Sequence, residues 1–193
     1  RQYLSNTVIG DPVSGQATIG YVQSLSAWLV ALTIPFLGAI ADKDGRRKPW
    51  VIGTAIAISL ASIGLWWVTP QQGLDGVTLG LVLLFVIYTA FPVSEVFHNA
   101  MLPSIVPANK AGLISGLGFS SGNMSGLVLM LFVLFAFAMP GVQPWSFLPD
   151  EPWFGIDQSL FEHDRLIGPL CGIWILIFTP VSYTHLTLPT TMW

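Results

Sequence analysis

The chain has 193 residues, of which 53% are hydrophobic and 9% are charged, and its formal net charge is −3 at pH 7. About a quarter of the residues in soluble globular domains are charged, so this composition excludes an ordinary soluble domain and favours a membrane protein. The acidic balance also lacks the basic surface that nucleic-acid binding needs, and a single cysteine, Cys171, cannot form an internal disulfide or a cysteine metal cluster. We therefore expect no nucleic-acid partner, no metal and no cofactor.

Five long apolar segments follow one another along the chain. A helix that crosses roughly 30 Å of hydrocarbon needs about 20 mostly apolar residues, because its backbone must satisfy its own hydrogen bonds where water is absent. The segments lack the strict alternation of a half-buried strand. They cover residues 19–41, 50–68, 77–97, 113–139 and 166 to about 181. The sequence therefore predicts an all-α membrane protein with five transmembrane helices.

A short basic turn separates the first two segments. Four of the seven Lys and Arg residues fall within positions 43–48, and cations beside a span resist transfer across the bilayer. The second connection has no cation, the third has Lys110 and the fourth is acidic. Trp145 and Trp153 in the fourth connection fit this layering, because amphipathic rings favour the membrane interface. The pattern predicts an integral protein of a bacterial cytoplasmic membrane, with residues 42–48 in the cytoplasm.

The order of residues in this turn is more specific than its charge. A calcium-binding loop does not fit, because Arg46 stands where an oxygen ligand is expected. The pattern Gly-x-x-x-Asp-Lys-x-Gly-Arg-Arg-Lys instead resembles the signature loop between helices two and three of the major facilitator superfamily (MFS). The residues that carry this resemblance are Gly38, Asp42, Lys43, Gly45, Arg46, Arg47 and Lys48.

This resemblance implies a twelve-helix transporter made of two six-helix halves. The five segments would be helices two to six, so residues 1–180 would form a partial N-terminal bundle without its first helix, and the C-terminal half would be a missing partner. Asp42 would meet the positive end of a helix in that opposite half. Arg46 and Arg47 would be gating or anchoring cations, and the whole turn would lock and release the outward-facing state.

A second resemblance narrows the family. The runs Phe-His-Asn-Ala-Met-Leu-Pro at 97–103 and Gly-Leu-Ile-Ser-Gly-Leu-Gly at 112–118 are similar to the loop between helices four and five in the branch that includes fungal vacuolar amino-acid effluxers. This resemblance implies a secondary transporter that moves a small solute, such as an amino acid or a related metabolite, across the lipid bilayer by alternating access.

A few polar residues within the spans are candidates for a substrate or proton site. Glu95 lies near the end of the third span, and an ionisable group at membrane depth usually faces a cavity or a partner. An interfacial or helix-capping role is the alternative for Glu95, and His98 and Asn99 share that ambiguity. Gln23 and Asn123 are uncharged candidates, although hydrogen bonds between neighbouring helices explain them equally well.

Glycines recur at four-residue spacing along the fourth span. A helix brings such positions onto one face, where two backbones can approach closely. We therefore predict helix packing through Gly112, Gly116, Gly118, Gly122 and Gly126.

The last residues depart from the apolar pattern. From Val181 onward the chain turns polar without supplying a basic loop. We expect residues 181–193 to be a non-native tail and assign no function to them.

One alternative function comes from another class of protein. A polytopic membrane enzyme or an assembly subunit could use the basic turn only to fix its orientation. An enzyme needs catalytic groups that converge at one place, whereas Glu95 and His98 are the only near neighbours of that kind. The sequence therefore favours a transporter over an enzyme.

Overall fold

The computed structural model describes residues 3–44, 47–107, 109–142 and 145–185, and no strand occurs among them. The long helices are α1 (Pro12–Asp44), α2 (Lys48–Gly64), α3 (Leu74–Ile105), α4 (Ala111–Val133) and α6 (Ile167–His185), with a short α5 (Glu162–Arg165) before the last. Leu4–Val8 and Leu134–Ala138 are single π-helical turns, and Leu65–Trp67, Pro70–Gln72 and Trp153–Gly155 are 3₁₀ turns. The all-α class predicted from the sequence is confirmed.

Four of the described helices are long and apolar enough to cross a membrane: Pro12–Ile40, Lys48–Trp67, Leu74–Met101 and Ala111–Ala138. They coincide with the first four predicted spans. The fifth predicted span corresponds to α6, which has 19 residues and is not among those four, so its role as a crossing stays a prediction. The proposed tail is helical as far as His185, and residues 186–193 lie outside the described chain.

Two of the helices are longer than the apolar segments that predicted them. α1 has 33 residues and α3 has 32, which at about 1.5 Å per residue gives lengths near 50 Å. Hydropathy marks only the residues that lie in hydrocarbon, whereas helical hydrogen bonding continues beyond the membrane interface. The predicted spans therefore stop short of both helix ends.

Asp11 fixes the start of α1. Its two carboxylate oxygens accept hydrogen bonds from the backbone nitrogens of Val13 and Ser14, each at 3.2 Å, and a negative charge is favourable at a helix N-terminus. Hydrogen bonds from Ser14 hold the pKa of Asp11 below its ordinary value. Because an ionised carboxylate is costly in hydrocarbon, this end of α1 belongs at the membrane surface.

The described residues fall into two compact units, one from Arg1–Met101 with Gly168–Trp193 and one from Leu102–Ile167. In the first unit, two apolar clusters hold α1, α2 and α3 together. One joins Val30, Val51, Val93, Phe97 and Met101, and the other joins Leu4, Val8, Ile19, Val68 and Leu84. The second half of α1 thus meets the start of α2 and the end of α3, so the three helices run antiparallel to their chain neighbours.

α6 packs closely on α2 in the same unit. The Ser59 hydroxyl donates a hydrogen bond to the Gly172 carbonyl oxygen at 2.5 Å. A Cβ added at Gly172 would lie 2.7 Å from the Ser59 carbonyl oxygen, and one added at Gly168 would lie 2.5 Å from that of Ser62. Two glycines four residues apart therefore let the backbones of α6 and α2 touch, as small residues do at membrane helix contacts.

Replacing Gly172 tests this contact. We expect Gly172→Ala to lower the free energy of unfolding by about 1–3 kcal/mol, because the added methyl overpacks a backbone contact. Reversible unfolding in mixed micelles measures the change. The matched control is Gly116→Ala in α4, where nothing lies within 4 Å of the added Cβ and where alanine is the better helix former by about 1 kcal/mol. Equal losses in both variants would contradict the proposed contact.

Candidate functional site

The basic turn joins the end of α1 to the start of α2. Lys43 lies in the last turn of α1, where a cation is favourable beside the negative end of the helix. Arg47 is the residue before α2, and Pro49 occupies the first turn of α2, where a missing amide hydrogen costs nothing. Gly45 and Arg46 lie outside the described residues. Three residues therefore separate the end of α1 from the start of α2, and Arg47 is the one of them that the structure describes.

Arg47 ties this turn to α3. Its Nη1 atom donates a hydrogen bond to the Ala100 carbonyl oxygen at 2.6 Å. Hydrogen bonds from charged groups such as a guanidinium contribute about 1.5–3 kcal/mol. This bond links positions 53 residues apart in the chain, so it fixes the turn against one particular helix end.

An apolar contact lies next to this hydrogen bond. The rings of Trp50 and Phe97 stack with centroids 5.6 Å apart and planes inclined by 22°. Val51 and Met101 are buried in the same cluster. Stacked aromatic pairs add about 0.5–1.5 kcal/mol beyond their buried area. The start of α2 is therefore held against α3 by a polar and an aromatic contact together.

The basic turn and the run 97–103 are two separate motifs in the sequence, and they lie side by side in the structure. Phe97, Ala100 and Met101 from that run contact or neighbour the residues that follow the turn. The spacing of residues along the chain does not predict this contact, because about fifty residues separate the two motifs. The order of the spans could have predicted the contact. When each of three helices runs antiparallel to the one before it, the end of the third lies on the same side as the turn between the first two.

The remaining residues of the basic turn are described in part. Gly38 lies within α1, and nothing lies within 4 Å of a Cβ built on it. Lys43 is exposed and Lys48 is half-buried. The side chain of Asp42 lies outside the described residues, so its predicted role in gating stays a prediction.

The charged and polar candidates of α3 share one face. Glu95, His98 and Asn99 are all exposed, whereas Val93 and Phe97 on the other side of the helix are buried. Positions three and four apart are neighbours on a helix surface, so the three polar side chains form a stripe one turn from the contact with the basic turn. Their role as a substrate or proton site stays a prediction.

The two uncharged candidates lie on different helices. Gln23 is exposed on α1. The Asn123 side-chain amide donates to the Phe119 carbonyl oxygen of its own helix at 2.9 Å. Asn123 is thus satisfied locally, and a part in solute binding stays a prediction for both residues.

The α4 glycines have open space beside them in the described chain. A Cβ built at Gly112, Gly116, Gly118, Gly122 or Gly126 meets nothing within 4 Å in the described chain. Packing through this face therefore stays a prediction for segments outside that part of the protein. Gly168 and Gly172, which do make a close helix contact, were missed, although their spacing of four residues could have indicated it.

Antiparallel helices of membrane length, joined by a basic turn that is bonded to a third helix end, define a polytopic all-α membrane protein. Residues 6–113, more than half of the chain, match the family described as "Vacuole effluxer Atg22 like". The chain belongs to this family. The MFS resemblance and the effluxer-like branch predicted from the sequence are thereby confirmed.

One curated relative is the uncharacterized MFS-type transporter YxiO of Bacillus subtilis (strain 168). It is 25% identical to the chain over 154 residues, which cover 72% of the chain and 34% of the relative. The chain therefore spans about a third of the length of that relative. No solved structure is significantly similar to the chain.

Replacing Arg47 tests the link between the turn and α3. We expect Arg47→Met, which keeps the side-chain length and removes the donor, to lower the free energy of unfolding by about 1–2 kcal/mol. Lys43→Met, which removes an exposed cation from the same turn, should change it by less than about 0.5 kcal/mol. Unfolding in mixed micelles measures both variants. A larger loss for Lys43→Met than for Arg47→Met would contradict the assignment.

Proposed function

We propose that this chain is part of a secondary transporter that moves a small solute, such as an amino acid or a related metabolite, across the cytoplasmic membrane of a bacterium. Membership of an effluxer-like family and similarity to an MFS-type transporter support transport over the alternative of a membrane enzyme or an assembly subunit. The solute would bind between this bundle and a second one outside the chain, and the two would rock about it in alternating access.

The observation that carries the gating part of the proposal is the bond between Arg47 and the Ala100 carbonyl oxygen. In a rocking transporter each bundle moves largely as a rigid body, so a gating turn must be fixed to its own bundle. Arg47 and the stack of Trp50 on Phe97 provide this attachment. The turn would then move with α3 and would present Asp42 to the opposite bundle at a defined position.

The polar stripe on α3 gives the proposal a second element. Glu95 and His98 lie on the exposed face of the helix to which Arg47 is bonded. A proton or solute bound at this stripe would act on the same helix that positions the turn. Coupling between binding and gating would therefore need no more than a shift of α3.

Replacing Asp42 tests the gating role. In the intact transporter that contains this chain, we expect Asp42→Asn to slow exchange roughly two- to fivefold without changing membrane insertion, because a charge at a helix end contributes about 0.3–1 kcal/mol. Exchange of a panel of radiolabelled amino acids in proteoliposomes measures the rate. The control is Asp75→Asn, which removes the acid from the first turn of α3. Unchanged exchange in Asp42→Asn, or equal slowing in both variants, would count against the gating role of Asp42.

Thiol labelling tests the proposed orientation. In a Cys171→Ser background, Lys43→Cys should resist a membrane-impermeant thiol reagent in intact cells and react after the membrane is opened. Leu74→Cys, which is 84% exposed at the opposite end of α3, should react in intact cells. The reverse result would place the basic turn outside the cell and would remove the gating proposal.

A further inference from the structure

The segment that follows α4 folds back along the end of that helix. The ring of Trp153 meets Phe132 with centroids 6.0 Å apart. Phe135 meets Phe147 at 5.8 Å, and Phe137 meets Phe154 at 6.4 Å. Three rings of the segment therefore lie against three rings of α4 and its π-helical turn. We call residues 145–161 the aromatic segment.

Gln158 anchors the aromatic segment to the helix end. The two N–H groups of its side-chain amide donate to the carbonyl oxygens of Phe137, Ala138 and Pro140, at 2.8, 3.2 and 2.9 Å, with one N–H shared between two of them. The last carbonyls of a helix have no partner within the helix, so a single amide from the segment satisfies groups that would otherwise need water. The segment is thus bonded to the end of α4 as well as stacked on it.

The backbone of the aromatic segment has a defined shape. Phe154 and Phe161 have positive φ angles of 59° and 55°, a left-handed conformation that bulky residues adopt only where the surroundings impose it. Asp157 accepts hydrogen bonds from the Ser159 backbone nitrogen and hydroxyl at 2.8 and 2.6 Å. These bonds from Ser159 lower the pKa of Asp157 below its ordinary value. The carboxylate of Asp157 therefore stays ionised, and this part of the segment belongs in water.

The contacts with α4 give the depth of the rings. The span Ala111–Ala138 has 28 residues, or about 42 Å, which matches the roughly 40–45 Å of a bilayer that includes its headgroups. Phe132 lies six residues before Ala138, or about 9 Å below the end of the span. Trp153, in contact with Phe132, therefore lies near the boundary between headgroups and hydrocarbon.

The rings of the aromatic segment are not covered by the rest of the unit Leu102–Ile167. Phe137 is 2% exposed, whereas Phe154 is 89%, Phe147 is 67% and Trp153 is 49% exposed. Large aromatic rings favour the headgroup layer, where one face meets hydrocarbon and a polar edge meets water. Because these rings lie against a helix of membrane length, we take lipid as the neighbour that covers their exposed faces.

We propose that the aromatic segment lies in the lipid headgroup layer at the C-terminal end of α4, with Trp153, Phe147 and Phe154 inserted as interfacial anchors. The amide of Gln158 couples these rings to the helix, so the segment fixes the depth of α4 in the bilayer. The proposal concerns the leaflet at this end of α4 and does not depend on the direction of transport.

Spin labelling of the protein in phosphatidylcholine vesicles tests the depth. In a Cys171→Ser background, labels at Phe147→Cys and Phe154→Cys should be more accessible to oxygen, relative to a water-soluble nickel chelate, than a label at Asp150→Cys, an exposed acid in the same segment. A label at Met124→Cys, which is 60% exposed midway along the span Ala111–Ala138, gives the hydrocarbon reference. We expect the two segment labels to fall between these references.

Two outcomes would overturn the proposal. Labels at 147 and 154 that match the Asp150→Cys label would place the rings in water. Labels shielded from both oxygen and the chelate would show that a protein segment, not lipid, covers them.

A milder variant keeps the proposal testable if a label disturbs the fold. Trp153→Phe retains an aromatic ring. The difference in tryptophan fluorescence between the unsubstituted protein and this variant gives the contribution of Trp153. This contribution should be quenched more strongly by lipids brominated near the headgroup than by lipids brominated near the chain end. Equal weak quenching by both lipids would reject the insertion of Trp153.

Discussion

The absence of water in hydrocarbon constrains every part of this structure that crosses the membrane. Backbone polar groups must pair within the chain, and the spans are accordingly continuous helices. Three side-chain hydroxyls follow the same constraint: Ser26, Thr33 and Thr54 each donate to a carbonyl oxygen four residues earlier. Since these three groups are satisfied within their own helices, contacts between helices depend on shape and on a few long-range bonds.

Those few bonds decide which helices lie together. The Ser59 hydroxyl and the glycines of α6 bring one pair of backbones into contact, and Arg47 attaches the basic turn to α3. In both contacts a side chain donates a hydrogen bond to a backbone carbonyl oxygen, a group that every residue has. Which helices pair therefore depends on the donor side chain and on whether the residues beside the carbonyl leave room for it.

The sequence predicts the fold class and four of the spans because transfer into hydrocarbon depends on composition, which is visible residue by residue. It also predicts the family, since the basic turn keeps its characteristic order from Gly38 to Lys48. The bond from Arg47 to Ala100 could not be predicted in this way, because its acceptor is a backbone atom that any residue supplies. For the α4 glycines the sequence predicts a packing face, but their spacing does not indicate which helix packs against it.

The π-helical turn at Leu134–Ala138 closes α4 with i to i+5 hydrogen bonds, such as the one from Met139 N to Leu134 O at 2.9 Å. Such a turn holds one more residue than the α-helical turn it replaces. The extra residue is thus accommodated within the turn, whereas in an unbroken α-helix it would rotate every following side chain by about 100°. Removal of one residue here would therefore leave an ordinary α-helical turn while the following chain kept its orientation at the bilayer surface.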